Sequence, residues 1–454
     1  MTTFGRFVLP SCCALAFTVS SVATSANVWV ERSDSPLLDR IELLANAGKL
    51  RTSTTSYPLS WRALARDLEL LDVDRLNAAE RDAVFLIQAR LQTAARDAAN
   101  TQLKLVANSQ DDEQYPRHQR STHQRAELQL AHAYTDGDFA ARISVQARLD
   151  AIDDEDYGLD ESYLAWRFDG LTVGIDTLST QWGVATDHSL LLSDAARPLP
   201  KFRISYQSDR IIGALSQFHF QSFIGARSSF GDDYNEPVWA NRISFQSDGS
   251  LQFGLTHVMS SLDSAANPYL AADERWHALS ADGRLGIVLG SQTSAALYAE
   301  LGADLENSSS MWLAGVSAHQ LWGGYQFRAY AEISAGDELD RAGFFQLNHH
   351  LGRPLGRLAA NDATAISAGL RATNLQGEHW ELTMRDFDAS DTPFAIAQQT
   401  DRFAPLTAAT SQLALTHKRP LGNGLVGLTL ERWETDWNGG DSGFNAQLSY
   451  ELRF

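Results

Sequence analysis

Cysteine is almost absent from this chain. Its 454 residues include only Cys12 and Cys13, and both lie in an N-terminal stretch with the features of a secretory signal peptide. Arg6 gives a positive start, residues 8–19 form an apolar core, and small residues end at Ala26, where we expect cleavage. A lipoprotein anchor on Cys13 is the alternative, which the continuing apolar core disfavours. The predicted mature chain therefore has no disulfide and no cysteine-based zinc site.

Long hydrophobic runs are also missing beyond the signal. No stretch of about 18 apolar residues follows, so the sequence predicts no transmembrane helix. Basic residues are outnumbered, with 37 Lys+Arg against 56 Asp+Glu and a net charge of −19. This balance disfavours nucleic acid, whose phosphates attract lysine and arginine. An exported chain without membrane helices is periplasmic, secreted or an outer-membrane barrel.

The C-terminal segment alternates strictly between apolar and polar residues. Apolar positions from Phe444 to Phe454 interleave with polar positions from Asn445 to Arg453. Successive side chains of a strand point to opposite faces, so one apolar face and one polar face are predicted. The length suits a membrane-spanning strand, and the aromatic end resembles the last strand of bacterial outer-membrane barrels. We expect it to pair with a first strand near residues 101–107.

The same period of two recurs through the rest of the chain. In segments 139–149 and 325–333, apolar residues alternate with polar ones that include Arg142, Arg148 and Glu332. A charged side chain in mid-strand is costly against lipid, so we expect these three to face the lumen.

Short connections rich in Asp, Gly, Asn or Ser alternate with long polar ones. Tight hairpins need such residues, and outer-membrane barrels have short turns in the periplasm and long loops outside. Counting alternately gives about 18 strands, an even number that brings the C-terminus to the periplasmic side. The predicted turns are 135–138, 169–170, 208–210, 247–250, 291–293, 321–324, 375–377 and 418–424. The predicted long loops are 108–123, 151–160, 178–200, 226–238, 261–274, 304–309, 335–364, 387–408 and 435–442.

The segment before the strands has a helical period. Three helices are predicted, beginning near Pro36, after Ser60 and after Asn77, and Gly48 ends the first. They form either a separate periplasmic bundle or a plug, and the plug is favoured because side chains cannot fill so wide a barrel. The third helix is predicted to carry Val84, Phe85, Ile87 and Leu91 on one apolar stripe. The predicted organisation is a signal peptide at 1–26, an N-terminal helical plug domain at 27–100 and a transmembrane antiparallel β-barrel at 101–454, an all-β fold with a small α part.

The densest motif spans residues 182–200 and reads WGVATDHSLLLSDAARPLP. It resembles the WG…SLLLS…ARPxP signature of the Wzi-type capsule-assembly proteins of Gram-negative outer membranes. Residues 37–61 resemble the start of that family, and 352–356 (GRPLG) are similar to a third element late in the barrel. The segments occur in the family's order, although Val184 stands where the family often has proline.

This resemblance implies an 18-stranded barrel with a periplasmic helical plug and a closed lumen. It also implies a lectin-like role in which surface loops hold exported capsular or extracellular polysaccharide on the cell. No catalytic residue, metal or cofactor is implied. The expected partners are polysaccharide, outer-membrane lipid and lipopolysaccharide, and the barrel-assembly machinery, with the protein acting as a monomer and without nucleic acid.

Two roles stay open for the motif: it closes the pore from within, or it contacts glycan directly. Pro198 and Pro200 restrict the backbone, and Arg197 is expected to pair with an acidic lumen residue and pin the loop inward. The candidates for either role are Trp182, Gly183, Asp187, Ser189, Ser193, Arg197, Pro198, Arg353, Tyr234 and Trp437.

Aromatic residues in the predicted outer loops offer flat faces to sugar C–H groups. Barrel ends also carry aromatic girdles at both membrane interfaces, and for each residue the girdle is the preferred interpretation. These residues are Tyr115, Tyr157, Tyr234, Trp239, Tyr269, Trp433 and Trp437.

Signals for metal binding or catalysis are sparse. The acidic stretch 153–161 lacks the spacing of a calcium loop and is interpreted as a solvated face. Residues 440–443 (GDSG) resemble a serine-protease turn but suit a hairpin loop better, and the pairs at 188–189 and 349–350 lack a placed acid. Two alternatives stay open. The first is a diffusion porin, which fits an acidic lumen; the N-terminal helical domain and the lack of a ladder of basic residues fit it less well. The second, a remote alternative, is a barrel hydrolase.

Overall fold

The computed structural model describes most of the chain. The described residues are 28–94, 101–109, 124–151, 155–187, 189–194, 196–208, 215–228, 236–247, 249–262, 274–306, 309–336, 349–350, 353–356, 364–388, 409–436 and 441–454.

Eighteen antiparallel strands of the described residues close into one barrel, as predicted. Each strand pairs with the next along the chain, and the last pairs with the first. The strands are β1 Thr101–Asn108, β2 Ala126–Asp136, β3 Phe139–Leu149, β4 Tyr163–Phe168, β5 Leu171–Asp176, β6 Lys201–Gln207, β7 Leu215–Arg227, β8 Glu236–Ser247, β9 Leu251–Leu262, β10 Glu274–Val288, β11 Thr293–Asp304, β12 Ser309–Trp322, β13 Tyr325–Gly336, β14 Thr364–Asn374, β15 His379–Asp388, β16 Thr410–Leu421, β17 Gly424–Thr435 and β18 Asp441–Arg453.

The barrel closes where β18 meets β1. Gln102 lies opposite Arg453 in this antiparallel pair. The amide of Phe454 donates to the carbonyl of Thr101 at 3.0 Å, and the reverse bond measures 3.2 Å. The prediction that the C-terminal strand pairs with residues 101–107 is therefore confirmed.

The strands present apolar side chains outward and polar side chains inward. In β3, Ile143 and Val145 are exposed on the outer surface, whereas Ser144 and Gln146 are buried inside. The prediction that mid-strand charged residues face inward is confirmed, because Arg148 and Glu332 are buried and Arg142 pairs with a residue inside the barrel. An apolar outer belt around a polar interior is the surface that a membrane barrel needs.

Most connections are short turns at one end of the barrel, which we call the short-turn end, and most are longer at the other, the long-loop end. The predicted turn at 418–424 is too long, because β16 continues to Leu421 and only Gly422 and Asn423 turn. Pro420 lies within the strand, opposite Leu425. The pairing of β16 with β15 ends at Lys418, so the missing amide of Pro420 faces no partner strand.

Three α-helices precede the barrel in the described residues: α1 Ser35–Asn46, α2 Trp61–Glu69 and α3 Ala78–Ala94. The Ser60 side chain caps α2 by accepting from the amide of Ala63. Asn77 and Glu80 cap α3 reciprocally, with both bonds at 2.9 Å. Phe85 does not share the buried face of the predicted stripe: it is 62% exposed, because α3 packs on its neighbours through Val84 and Ile87. No helix in the described part of the chain is long and apolar enough to span a membrane.

The helices sit against the inner wall at the short-turn end. The guanidinium of Arg40 on α1 donates to the carbonyl of Thr373, at the end of β14, at 3.1 Å. Gly48 packs on the β8–β9 turn at Gly249, and Asn46 packs on Gly286 of β10. The first helix is thereby seated inside the mouth of the barrel.

Candidate functional site

The motif segment turns into the lumen instead of extending away from the barrel. It connects β5, which ends at Asp176, to β6, which begins at Lys201. Trp182, Asp187 and Ser189 have no solvent exposure at all, 0% each. Of the two roles predicted for the motif, closing the pore from within is the one that this inward path fits.

Apolar side chains of the motif pack on the barrel wall. The indole of Trp182 lies 5.4 Å from the ring of Phe223, centroid to centroid, and its N–H donates to Gln221 at 2.8 Å. Leu190 and Leu191 join the same cluster as wall residues from several strands. Complete burial of each such side chain contributes about 1.5–3 kcal/mol, so this cluster is the main attraction that holds the segment inside.

Buried charges fix the centre of the motif. The Nε of Arg385 donates to both carboxylate oxygens of Asp187, at 2.9 and 3.0 Å. The Asp187 amide donates to the Glu332 carboxylate at 2.9 Å, and Tyr298 donates to the same carboxylate at 2.7 Å. Because breaking a buried pair leaves an uncompensated charge, these contacts restrict the segment to one position.

The third element of the family resemblance lies directly on the motif. The Ser193 hydroxyl donates to the carbonyl of Gly356 at 2.7 Å, and its amide donates to the carbonyl of Leu355. Gly356 leaves no room for a side chain, since a Cβ there would lie 2.3 Å from the carbonyl oxygen of Leu190. Arg353 belongs to a short strand paired with His349–His350, beside this contact.

Arg197 pins the end of the motif, as predicted. Its guanidinium lies 3.4 Å from the carboxylate of Asp160, which also pairs with Arg148 on β3. Pro198 follows, half-buried, where the chain turns towards β6. The interpretation of stretch 153–161 as a solvated face is wrong for two of its residues: Asp160 pairs with these arginines, and Glu161 is buried. Residues 152–154 lie outside the described part of the chain.

The motif also meets the N-terminal segment inside the lumen. Gln181–Trp182 forms a two-residue antiparallel pair with Ser56–Tyr57. The Gly183 amide donates to the carbonyl of Thr55 at 3.0 Å, and Arg32 lies 3.4 Å from Asp194. A cavity of about 40 Å³ remains between the two segments, enough for a few water molecules.

Carboxylates of α1 are bound by arginines of the wall. Glu42 lies 2.5 Å from Arg284 and 2.6 Å from Arg328, and its carboxylate hydrogen-bonds with His319 at 3.0 Å. Arg328 also donates to the hydroxyl of Thr186 in the motif at 2.7 Å. Sequence reasoning found no basic ladder and missed these arginines, although their polar positions in alternating strands carried the signal.

The carboxyl of Glu42 should stabilise the seating of α1 at neutral pH and lose this effect only in acid. Burial raises the pKa of Glu42. The charges of Arg284 and Arg328 and the bond with His319 together lower it by more, so the pKa lies well below the ordinary 4.5. A carboxyl whose pKa is lower in the folded state stabilises the fold fully at any pH above its unfolded-state pKa. This stabilisation is lost as the pH falls towards and through the folded-state pKa. We expect amide protection of α1 to be constant from neutral pH to about 4.5 and to fall only below it. In Glu42→Gln this acid-dependent loss should disappear, and an equal loss in both proteins would contradict the assignment.

The predicted aromatic candidates divide between surfaces. Trp239 faces outward, 45% exposed, with its indole N–H donating to Ser222, as a girdle residue does. Tyr157 is 75% exposed near the long-loop end, and Trp433 faces inward against Gly443. Tyr115, Tyr234, Tyr269 and Trp437 lie outside the described residues.

Groups for hydrolysis are not assembled where the structure describes them. Ser189 is enclosed in the lumen, and Ser442 lies on β18 opposite Glu434. The buried ring of His350 accepts from the amide of Ser228 at 3.1 Å, and His188 lies outside the described residues. Within the described ranges, no three His, Cys, Asp or Glu residues are grouped to hold a metal ion.

Two comparisons with known proteins, one of sequence and one of structure, both find a likeness to Wzi. The family model described as "Capsule assembly protein Wzi" matches residues 92–261. The structure of Wzi from Escherichia coli, described as an outer-membrane protein involved in group 1 capsule assembly and a carbohydrate-binding β-barrel, aligns with a TM-score of 0.75 at 17% identity, covering 93% of this chain and 98% of that one. A comparison with curated protein sequences finds no match.

Two proteins of Pseudomonas aeruginosa align less well. OpdK has a TM-score of 0.47 at 13% identity, covering 78% of this chain and 99% of its own. OccK3 (OpdO) has a TM-score of 0.45 at 12% identity, covering 79% and 97%. The predicted resemblance of this chain to the Wzi-type capsule-assembly family is thereby confirmed, in sequence for residues 92–261 and in fold for the whole barrel.

Proposed function

We propose that this protein is an outer-membrane barrel that binds capsular or other extracellular polysaccharide and organises it at the cell surface. The observation that carries the proposal is the occupied lumen: the motif enters from the long-loop end and meets the N-terminal segment through Gln181–Trp182 and Ser56–Tyr57. A barrel obstructed in this way offers its outer loops, and not its interior, as the functional surface. The likeness to Wzi of Escherichia coli, described as carbohydrate-binding, supplies the class of ligand.

The same proposal includes the orientation of the barrel in the membrane and the roles of its two domains. The short-turn end lies in the periplasm, with residues 27–100 as a plug domain within barrel 101–454. The chain acts as a monomer in contact with lipopolysaccharide, after insertion by the barrel-assembly machinery. The role is binding and not catalysis, and it needs no cofactor. A porin would require an open path where the described interior carries packed side chains.

The motif closes the lumen and supports the loops that contact sugar. Trp182, Gly183, Asp187, Ser189, Ser193 and Arg197 are buried on protein partners, so they position the outer surface from beneath. Tyr157, exposed at the long-loop end, offers a flat face to a pyranose. The sequence predicts the same role for Tyr234 and Trp437. Several weak contacts on a membrane-fixed barrel hold a long polymer through multivalency.

Deleting the gene tests the function. We expect polysaccharide to move from the cell-bound fraction to the medium while total synthesis is unchanged, because retention and not production is lost. Complementation with the intact protein should restore the bound fraction. A bound fraction that stays unchanged after deletion would contradict the proposal.

Planar-bilayer recording separates this proposal from the porin alternative. The purified protein should give no steady open channel, because the motif and α1 occupy the barrel. Stable conductance in the intact protein would favour the porin. If no steady channel is seen, a glycan array on the same preparation would identify the bound polymer.

A further inference from the structure

Arginines inside this barrel are matched with carboxylates. Arg142 pairs with Glu31 at 2.7 Å, and Arg203 pairs with Asp176 at 2.8 Å. Others follow the same rule: Arg242 with Asp282, Arg284 with Glu42, Arg371 with Glu381 and Arg385 with Asp187.

Arginines are grouped differently in a cleft at the short-turn end. The cleft lies between α2 and the rim formed by the β4–β5 turn and β6, with a volume of about 40 Å³. Three arginines line it, Arg62 and Arg66 from α2 and Arg167 from β4, together with uncharged residues such as Ser60 and Thr172. Its described lining contains no Asp or Glu, although the whole chain has a net charge of −19.

Two of these guanidiniums are poised for an external acceptor. Arg167 is held in place by donating to the carbonyl of Gly137 at 2.6 Å, while its Nε is buried with no acceptor among the described residues. Arg62 is exposed, and its positive charge acts unfavourably on that of Arg167. The carboxylate of Asp138 acts favourably on Arg167 but does not line the cleft. Holding like charges from two elements at one cleft is unfavourable unless an anion joins them.

The first turn of α2 adds to the positive potential. Helix α2 has nine residues and begins at Trp61, next to the cleft. Its N-terminal end carries a partial positive charge that favours anions. We propose that this cleft binds an oxyanion, a phosphate or carboxylate group, presented from the short-turn side of the barrel. Planar guanidiniums suit this chemistry because they donate two parallel hydrogen bonds to one oxyanion.

Calorimetric titration with pyrophosphate at constant ionic strength tests the site. The intact protein in detergent should show saturable binding at millimolar concentrations or below. Arg62→Gln and Arg167→Gln should each weaken the affinity by about tenfold or more, because a hydrogen bond to a charged group is lost. Arg75→Gln is the matched control, since Arg75 precedes α3, is 84% exposed and pairs with Asp72 outside the cleft.

The outcomes are separable. Retained heat-modifiable mobility on gels would show that the variants fold as barrels. Absence of saturable binding by the intact protein, or equal affinity in the Arg62/Arg167 double variant and the Arg75 control, would overturn the proposal. Nanodiscs distinguish the source of the oxyanion: loss of pyrophosphate binding in phosphatidylglycerol but not phosphatidylcholine assigns the site to a lipid headgroup. Equal binding in both assigns it to a soluble ligand.

Discussion

Replacing Gly286 by alanine is expected to unseat α1 and open the short-turn end of the barrel. A Cβ at this position of β10 would lie 2.3 Å from the carbonyl oxygen of Asn46 and 2.4 Å from its Cα. Both are backbone atoms at the end of α1, which cannot move aside as a flexible side chain can. Overpacking of this kind costs about 1–3 kcal/mol or more, and displacement would also strain the bond between Arg284 and Asn46.

Conductance and limited proteolysis would measure the effect of Gly286→Ala. We expect intermittent or steady channel openings and faster cleavage within residues 28–94, because the helices would leave the barrel mouth. Gly283→Ala is the matched control on the same strand, since its nearest neighbour is the carbonyl oxygen of Gln252 at 3.9 Å. If Gly286→Ala stays as closed and as protease-resistant as Gly283→Ala, the contact between α1 and β10 is not what holds α1 in the barrel mouth.

Removing the carboxylate of Asp187 is expected to release the motif from the lumen. In Asp187→Ala, Arg385 keeps its bond to Gln412 but loses its buried counter-charge. Breaking a buried pair from one side costs about 3–5 kcal/mol. The predicted mature chain has no cysteine, so Ser193→Cys gives a single reporter that a membrane-impermeant maleimide can reach only when the segment moves outward.

The rate of labelling at that cysteine would report the release. We expect faster labelling when Asp187→Ala is added, and partial recovery when Arg385→Met is added as well, because the orphaned charge is then gone. Asp187→Asn should fall between the intact protein and Asp187→Ala, since the amide keeps an acceptor. Equal labelling rates in all four proteins would show that the pair does not hold the segment.

Features set by local sequence were predictable from residue patterns. The alternation of short turns and long loops predicted the number of strands. The period of two predicted the inward direction of Arg148 and Glu332, because strand geometry imposes that alternation. Ser60 and Asn77 marked helix starts, because capping depends on residues three positions away.

Features set by distant partners were not predictable. Glu42 meets Arg284 and Arg328 across more than half the chain, and no local pattern encodes that meeting. The burial of Asp160 likewise depends on Arg148 and Arg197. Within the motif, composition indicated importance but not direction, so whether Trp182 faced sugar or wall was undecided until its contact with Phe223 was seen.

The pairing of β18 with β1 has a consequence for the making of the molecule. Gln447 and Asn108, bonded across that junction, are 339 positions apart, and joining ends so distant costs about 5 kcal/mol of chain entropy. That cost is offset only when the whole ladder forms at once. A polypeptide that stops before β18 therefore has two bare edges, at β1 and β17, ready to pair with another chain. Pairing of β18 is thus itself the safeguard against aggregation, since this one strand covers both edges together.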